Sequence, residues 1–331
     1  SHTAKALAKA GYLPVTLDNL STGHAWAVKW GPLVRGDLAD KNLIVETLRD
    51  YDIAAVIHFA ASAYVGDSVV QPRHYYQNNI ANSLNLLDAM LDVGVPQIVF
   101  SSSCATYGHP QSLPIREDHP QDPLSPYGDS KYFIERAMNA YRKAYGLKCV
   151  ALRYFNAAGA DPEGELGEVH SPETHLIPSI IEAALGYRTE IRVFGSDYDT
   201  PDGTCTRDFI HVSDLARAHV LALDYLISGN ECAAFNLGTG TGHSVREVIS
   251  VVEGVSDVIV PVKEEARRPG DAAALVADPT KAMQVLGWRP EFPSLERIVS
   301  DAWTWHTAQH DRKQAPRVAE VRPPAPAYAP L

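Results

Sequence analysis

The chain has 331 residues, enough for roughly two domains, and its 45% hydrophobic and 21% charged residues are the balance of a folded globular protein. A net charge of −11 disfavours a general nucleic-acid or anionic-membrane surface, so no nucleic-acid or membrane partner is expected. No apolar run approaches the ~18 residues that span a bilayer, the opening SHTAKALAKAG lacks the apolar stretch of a secretory signal, and the four scattered cysteines form no Cys-x-x-Cys pair, which together predict a cytoplasmic location.

SHTAKALAKAG is helical by composition, with Gly11 suited to a left-handed cap, and LPVTLDNL follows as a short strand ending in Asp18. LVRGD and AAVIHFAAS read as strands around a helix near 41–50, a second helix covers about 72–93, and PQIVFSSS is the next strand. The segment SPYGDSKYFIERAMNAY opens a helix over about 126–145, and LKCVALRYFN returns as a strand. Continuous apolar strands alternating with helices predict a doubly wound parallel α/β sheet, Rossmann-like, buried on both faces. From about residue 158 the chain turns polar and rich in Gly and Pro, which marks a second, smaller mixed α/β domain. The predicted division is 1–157 for the first domain and mainly 158–312 for the second, with 233–238 returning to the first sheet and 313–331 a disordered Pro/Ala-rich tail.

Ligands of open parallel sheets sit at the carboxyl ends of strands. Asp18 ends such a strand; there an acid can hydrogen-bond an adenosine ribose and disfavour a 2′-phosphate, although a lone Asp is also an ordinary turn residue. The small residues of HFAAS, 58–62, permit either close approach of a cofactor or tight helix packing. Ser103, closing VFSSS, could hydrogen-bond a substrate alcohol or merely cap orphan backbone groups. Tyr127 and Lys131, at i and i+4, lie on one helical face, where an ammonium would pull a phenol pKa down toward a general base; an exposed helix pair is the bland alternative. Cys104 reads as a packed thiol, and LGTGTG, 237–242, as a structural turn rather than a phosphate cradle. Thirteen histidines show no His-Glu-x-x-His or comparable spacing, so no metal is expected.

Ser at one strand exit followed by Tyr-x-x-x-Lys on the next helix is the layout of short-chain dehydrogenases/reductases. More specifically, FSSSCATYG, SPYGDSK, LRYFNAAGA, DGTCTRDFIHVSDLA and NLGTGTGHSV resemble UDP-glucose 4-epimerases of the extended type, including exopolysaccharide-linked bacterial members, from Ser1 to about His306. The family's first strand and Gly-x-x-Gly-x-x-Gly turn would precede Ser1, so the resemblance implies an N-terminally incomplete cofactor domain.

The resemblance implies NAD as cofactor, with Tyr127 as base, Lys131 as its electrostatic partner and ribose ligand, and Ser103 on the sugar O4. NAD contacts would come from Asp18, Asn19, Asp37, Leu38, Phe59, Ala60, Ala61, Asn78, Lys131 and Tyr154; where many epimerases carry a Lys, this chain has Ala63. Sugar-nucleotide contacts would come from Ser103, Tyr127, Asn156, Leu176, Phe194, Arg207, Arg268 and Asp271. Two guanidiniums can fork onto a diphosphate, although an Arg in a polar segment is also an ordinary surface charge. His175 stays unassigned. The implied activity interconverts UDP-galactose and UDP-glucose through a 4-keto sugar, in a homodimer. Leu275, where some members carry Tyr, opens UDP-N-acetylhexosamines as an alternative, and pentoses are another. Cys104-Ala105 in place of an Asp-Glu pair disfavours a dehydratase, and an inactive fragment that binds UDP-sugar is the rival of another class.

Overall fold

The structure, a computed structural model, describes residues 1–268 and 270–314. The chain opens with α1 (His2–Lys9), β1 (Thr16–Asp18), β2 (Leu33–Arg35), α2 (Lys41–Asp50) and β3 (Val56–His58). Helices α3 (Val65–Val70) and α4 (Pro72–Tyr75) lead through a π-helical stretch, Tyr76–Ala81, into α5 (Asn82–Val93). Then come β4 (Gln97–Ser103), α6 (Pro126–Tyr145), β5 (Lys148–Tyr154), β6 (Asn156–Ala158), α7 (Leu176–Ala184), β7 (Ile191–Phe194), β8 (Thr206–His211) and α8 (Val212–Ile227). The last elements are β9 (Ala233–Leu237), β10 (Gly242–Ser244), α9 (Val245–Ser256), β11 (Val262–Glu265), β12 (Ala274–Leu275), α10 (Thr280–Val285) and α11 (Leu295–Gln314). Residues 315–331 of the predicted tail lie outside the described residues, while 313 and 314 belong to α11.

Strands β3-β4-β5-β9 form a parallel four-stranded sheet, in which β9 joins the free edge of β5. Where the strand pattern predicts a single sheet, β1 and β2 form a separate parallel pair, and β3 pairs only with β4 among the described residues. Alternation along each strand divides the core. Ile98, Phe100, Cys149 and Ala151 point to one face, against Ile44 of α2, Leu86 and Met90 of α5, and Ile134 and Met138 of α6. Val99, Val150, Leu152, Phe235 and Leu237 point to the other, against Leu215, Ala218, Ala222 and Leu226 of α8 and Trp288. Two-sided burial explains why these strands are continuously apolar. A second core gathers Ile177, Ile180 and Ile181 of α7, Val193 of β7, Val248 and Val252 of α9, and Ile298 and Val299 of α11. Around it lie small mixed sheets: β8 pairs antiparallel with β10 and parallel with β6 and β12, and β7 pairs with β11.

Helix α6 positions the chemistry, and its sequence fixes both ends. Ser125 accepts from the Gly128 N–H at 3.2 Å as N-cap, and Pro126 supplies a pre-set φ at the first turn. Gly146 closes the helix at φ +76°. Gly128 lets the first turn press on the β4 exit: a Cβ there would meet the Ala105 carbonyl oxygen at 2.4 Å.

Candidate active site

Ser103 is the last residue of β4, and α6 sets Tyr127 and Lys131 over that exit. Lys131 is only 3% exposed; its Nζ donates to the Ser101 carbonyl at 2.8 Å, 5.0 Å from the Phe100 ring centre and 5.9 Å from that of Tyr127. Burial disfavours the ammonium and pushes Lys131 down to about 7 from 10.5. Spacing on the helix predicts a Tyr127 pKa below its ordinary value, but the structure corrects this. Burial raises it, the neighbouring Tyr154 adds to the rise, and only the Ser103 hydroxyl pulls the other way. The i,i+4 rule specifies adjacency and says nothing of the desolvation that both groups suffer at the strand exit.

A partly deprotonated buried lysine has a stability consequence. Between pH of about 7 and 10.5 the unfolded chain holds the Lys131 proton more often than the folded one, so stability rises with pH across that window. Below about 7 the penalty is present in full. We expect Lys131→Met, freed of it, to resist urea better than the parent at pH 7, with the gap closing by pH 10. Urea titrations of the NAD-free proteins at both pH values check this, and a parent more stable than the variant at pH 7 would contradict it.

Around this centre the structure gathers aromatic and polar groups. The Tyr154 hydroxyl hydrogen-bonds Ser101 Oγ, and its ring lies 6.1 Å from His219, whose ring is tilted against that of half-exposed Phe59 at 4.6 Å. His219 was not among the predicted site residues. It is wholly buried on α8, held at about 4 by burial, and its Nε2 has no hydrogen-bond partner among the described residues. Asn78 lies in the π-helical stretch and donates to Ser62 Oγ at 3.3 Å, just after β3 and the Ala60-Ala61 pair. π-Helical turns of this kind recur at functional sites. Asp18 ends β1, and Asp37 accepts from Asn19 Nδ2 at 2.6 Å and from the Ala39 N–H at 2.8 Å, which holds its carboxyl below the usual range. Leu38 packs toward the α2–α5 core and its carbonyl accepts from Asn85.

A second group forms around β7 and β8. The Arg268 guanidinium lies 4.6 Å over the Phe194 ring and donates to Asp271 at 3.0 Å, while Arg207 approaches the same carboxylate at 3.7 Å. Arg207 also donates to the Thr206 and Ala272 carbonyls, both at 2.9 Å, and is largely buried. Leu275 pairs with it across the β8–β12 ladder. Cys104 is buried and pushed up to about 12, which leaves it an inert thiol. Asn156 opens β6 opposite Phe209, and Leu176 opens α7. The Gly-rich 237–242 turn spends its donors internally: Thr239 N–H at 2.8 Å and Gly240 N–H at 3.0 Å both point to the buried Asp208 carboxylate.

Residues 1–238 match the profile of the NAD dependent epimerase/dehydratase family. The chain belongs to that family. It is 51% identical over 306 residues to a UDP-glucose 4-epimerase of Rhizobium leguminosarum bv. trifolii, covering 92% of this chain and 93% of that one. The crystal structure of the Brucella ovis UDP-glucose 4-epimerase in complex with NAD superposes with a TM-score of 0.89 at 52% identity, over 92% of this chain and 94% of that one. The Bifidobacterium longum UDP-glucose 4-epimerase, in complex with NAD+ and UDP, superposes at TM-score 0.89 and 37% identity, covering 94% of this chain and 95% of that one.

The donor set at the strand exits fits the cofactor of this NAD-dependent family. Asp18 Oδ1 accepts from the Leu20 N–H at 2.7 Å, and Oδ2 faces Gly23, where any Cβ would close to 3.2 Å. That carboxylate therefore stays open to a ribose diol. Buried Lys131 has one acceptor for three N–H donors among the described residues, which suits two ribose hydroxyls. No helix among the described residues is long and apolar enough to cross a membrane.

Proposed function

We propose that this protein interconverts UDP-galactose and UDP-glucose by NAD-dependent 4-epimerisation. The observation that carries the proposal is that Ser103, Tyr127 and Lys131 gather at the β4 exit and Arg207, Arg268, Asp271 and Phe194 form a second group, in a chain 51% identical to a UDP-glucose 4-epimerase. Asp18, Asn19, Asp37, Leu38, Phe59, Ala60, Ala61, Asn78, Lys131 and Tyr154 would hold NAD, which when bound supplies a reversible hydride acceptor. Arg207 and Arg268 grip the diphosphate, Asp271 accepts from the nucleotide ribose, and Asn156, Leu176 and Phe194 line the sugar-nucleotide path. Tyr127 takes the sugar O4 proton with Ser103 as its hydrogen-bonded neighbour, and a 4-keto sugar results. Since the protein holds the UDP end, the ring can present its opposite face before Tyr127 returns the proton.

Incubation with UDP-galactose in D2O, followed by proton NMR, tests this. UDP-glucose should appear with C4 still carrying its original hydrogen, because nothing is lost to solvent. UDP binding without turnover would replace the proposal by a UDP-sugar-binding protein. The relatives' names favour the hexose over the pentose and N-acetylhexosamine alternatives. The resemblance also supports a homodimer, which light scattering on the purified protein tests, and four free cysteines support a reducing cytoplasm.

A further inference from the structure

Between β6 and α7 the sequence reads Glu168-Val-His170-Ser-Pro-Glu173-Thr-His175, and the loop folds these four polar side chains inward on one another. One ligating atom from each lies within 4.8 Å of the others. His170 Nδ1 is 2.9 Å from Glu168 Oε1 and 3.8 Å from Glu173 Oε1; His175 Nδ1 is 3.9 Å from Glu173 Oε1 and in close contact with Glu168 Oε1. His170 Nδ1 is sealed from solvent, and its 2.9 Å approach to Glu168 Oε1 lacks hydrogen-bond geometry, so the ring nitrogen faces the carboxylates at the middle of the cluster.

We infer that Glu168, His170, Glu173 and His175 form a binding site for one divalent transition-metal ion, held by two imidazole nitrogens and two carboxylate oxygens. Tetrahedral Zn2+ with ligands at roughly 2.0–2.1 Å places neighbouring ligand atoms about 3.3 Å apart, within the spread of these contacts. The mixed nitrogen and oxygen donors select a zinc-like ion over Ca2+ or Mg2+. The surroundings hold the ligands in place. Glu173 Oε1 accepts the N–H groups of Thr174 and His175 at 2.7 and 2.8 Å, and the Glu168 carbonyl accepts from Trp305 Nε1 at 3.0 Å. The Tyr64 ring stands edge-on to His170 at 5.9 Å. The acidic cluster Asp161, Glu163 and Glu165 is different in kind: Lys5 Nζ already sits among its carboxylates at 2.7, 2.9 and 2.6 Å, and Lys9 pairs with Glu163 as well. A scan for His-Glu-x-x-His passes over the Glu-x-His-x-x-Glu-x-His pattern, because its ligands come from an irregular loop rather than a helical face.

The inference stands apart from the epimerase proposal, since metal binding is read without turnover. The 331-residue protein is stripped with a chelator, dialysed and titrated with Co2+, whose four-coordinate complex gives strong visible bands, and Zn2+ is then added to displace it. One Co2+ per chain with such bands, displaced by Zn2+, is expected. His170→Gln and His175→Gln should each weaken Co2+ binding by on the order of 100-fold, whereas His109→Gln, an exposed histidine elsewhere, should not. Circular dichroism confirms folding of each variant; His170 and His175 are the partly exposed ligands, so they carry the test rather than buried Glu173. A folded protein that gives no bands, or whose Co2+ affinity is unchanged in both histidine variants, shows a metal-free histidine–carboxylate network and overturns the site.

Discussion

Tyr127→Phe should lower the turnover of UDP-galactose by about 10³–10⁴-fold while UDP affinity stays within a few-fold of the parent, because the variant loses one oxygen at the β4 exit and nothing from the Arg207–Arg268 group. The size follows from the role. A positioned acid/base contributes roughly 10²–10⁴-fold, and here one group both takes and returns the O4 proton. The phenol is a poor base in the protein alone, since burial raises its pKa and the lysine beside it is held near 7. The two groups therefore answer for each other's charge: a protonated Lys131 favours phenolate, and a phenolate favours protonated Lys131. Steady-state kinetics with UDP-galactose and calorimetric titration with UDP separate the two readouts. Retained turnover would remove Tyr127 from the chemistry, and lost UDP binding would show that the phenyl ring had disturbed the nucleotide site.

The pair Tyr127–Lys131 also shows what a sequence can and cannot carry. Their common face on α6 follows from spacing, the helix from Ser125, Pro126 and Gly146, and the strands from continuous apolar runs such as QIVFSSS. These are local rules, and the parallel order and the site at the strand exits follow from them. The environment is not local. Whether Tyr127 is acidic or not depends on its burial and on Tyr154, Ser103, Cys104 and Tyr75 around it, which no i,i+4 pattern encodes. His219 lies on a helix that reads as an ordinary packing element, and only the fold brings it between Phe59 and Tyr154. The split between β1–β2 and the four-stranded sheet is likewise a pairing decision between distant segments, invisible in the strands' own residues. Even LGTGTG is decided at a distance, by an Asp208 that precedes it by about 30 residues and consumes its N–H groups.

The largest stability effect is expected beneath the site, at Arg153 and Glu135. Both side chains are under a tenth exposed; Arg153 Nη2 meets Glu135 Oε2 at 2.6 Å and Nε meets Oε1 at 3.0 Å. The remaining guanidinium donors go to Tyr107 Oη at 2.9 Å, the Glu117 carbonyl at 3.1 Å and Gln121 Oε1 at 3.0 Å, and Ser102 donates to the carboxylate at 2.5 Å. Tyr107 passes the chain on to Asn236 at 2.6 Å, so the network ties β4, α6, β5 and β9 together one residue below Ser103. Removing one partner of such a pair leaves a buried charge without compensation, which costs about 3–5 kcal/mol. Arg153→Met strands the Glu135 carboxylate, and Glu135→Met strands the guanidinium. The double variant has neither charge and fills the space with apolar atoms, so its loss should be far smaller than the sum of the two. Urea denaturation of the three variants and the parent closes the cycle. Two single losses that simply add would mean the charges do not depend on each other, and a single loss under about 1 kcal/mol would mean that water reaches the pair and screens it.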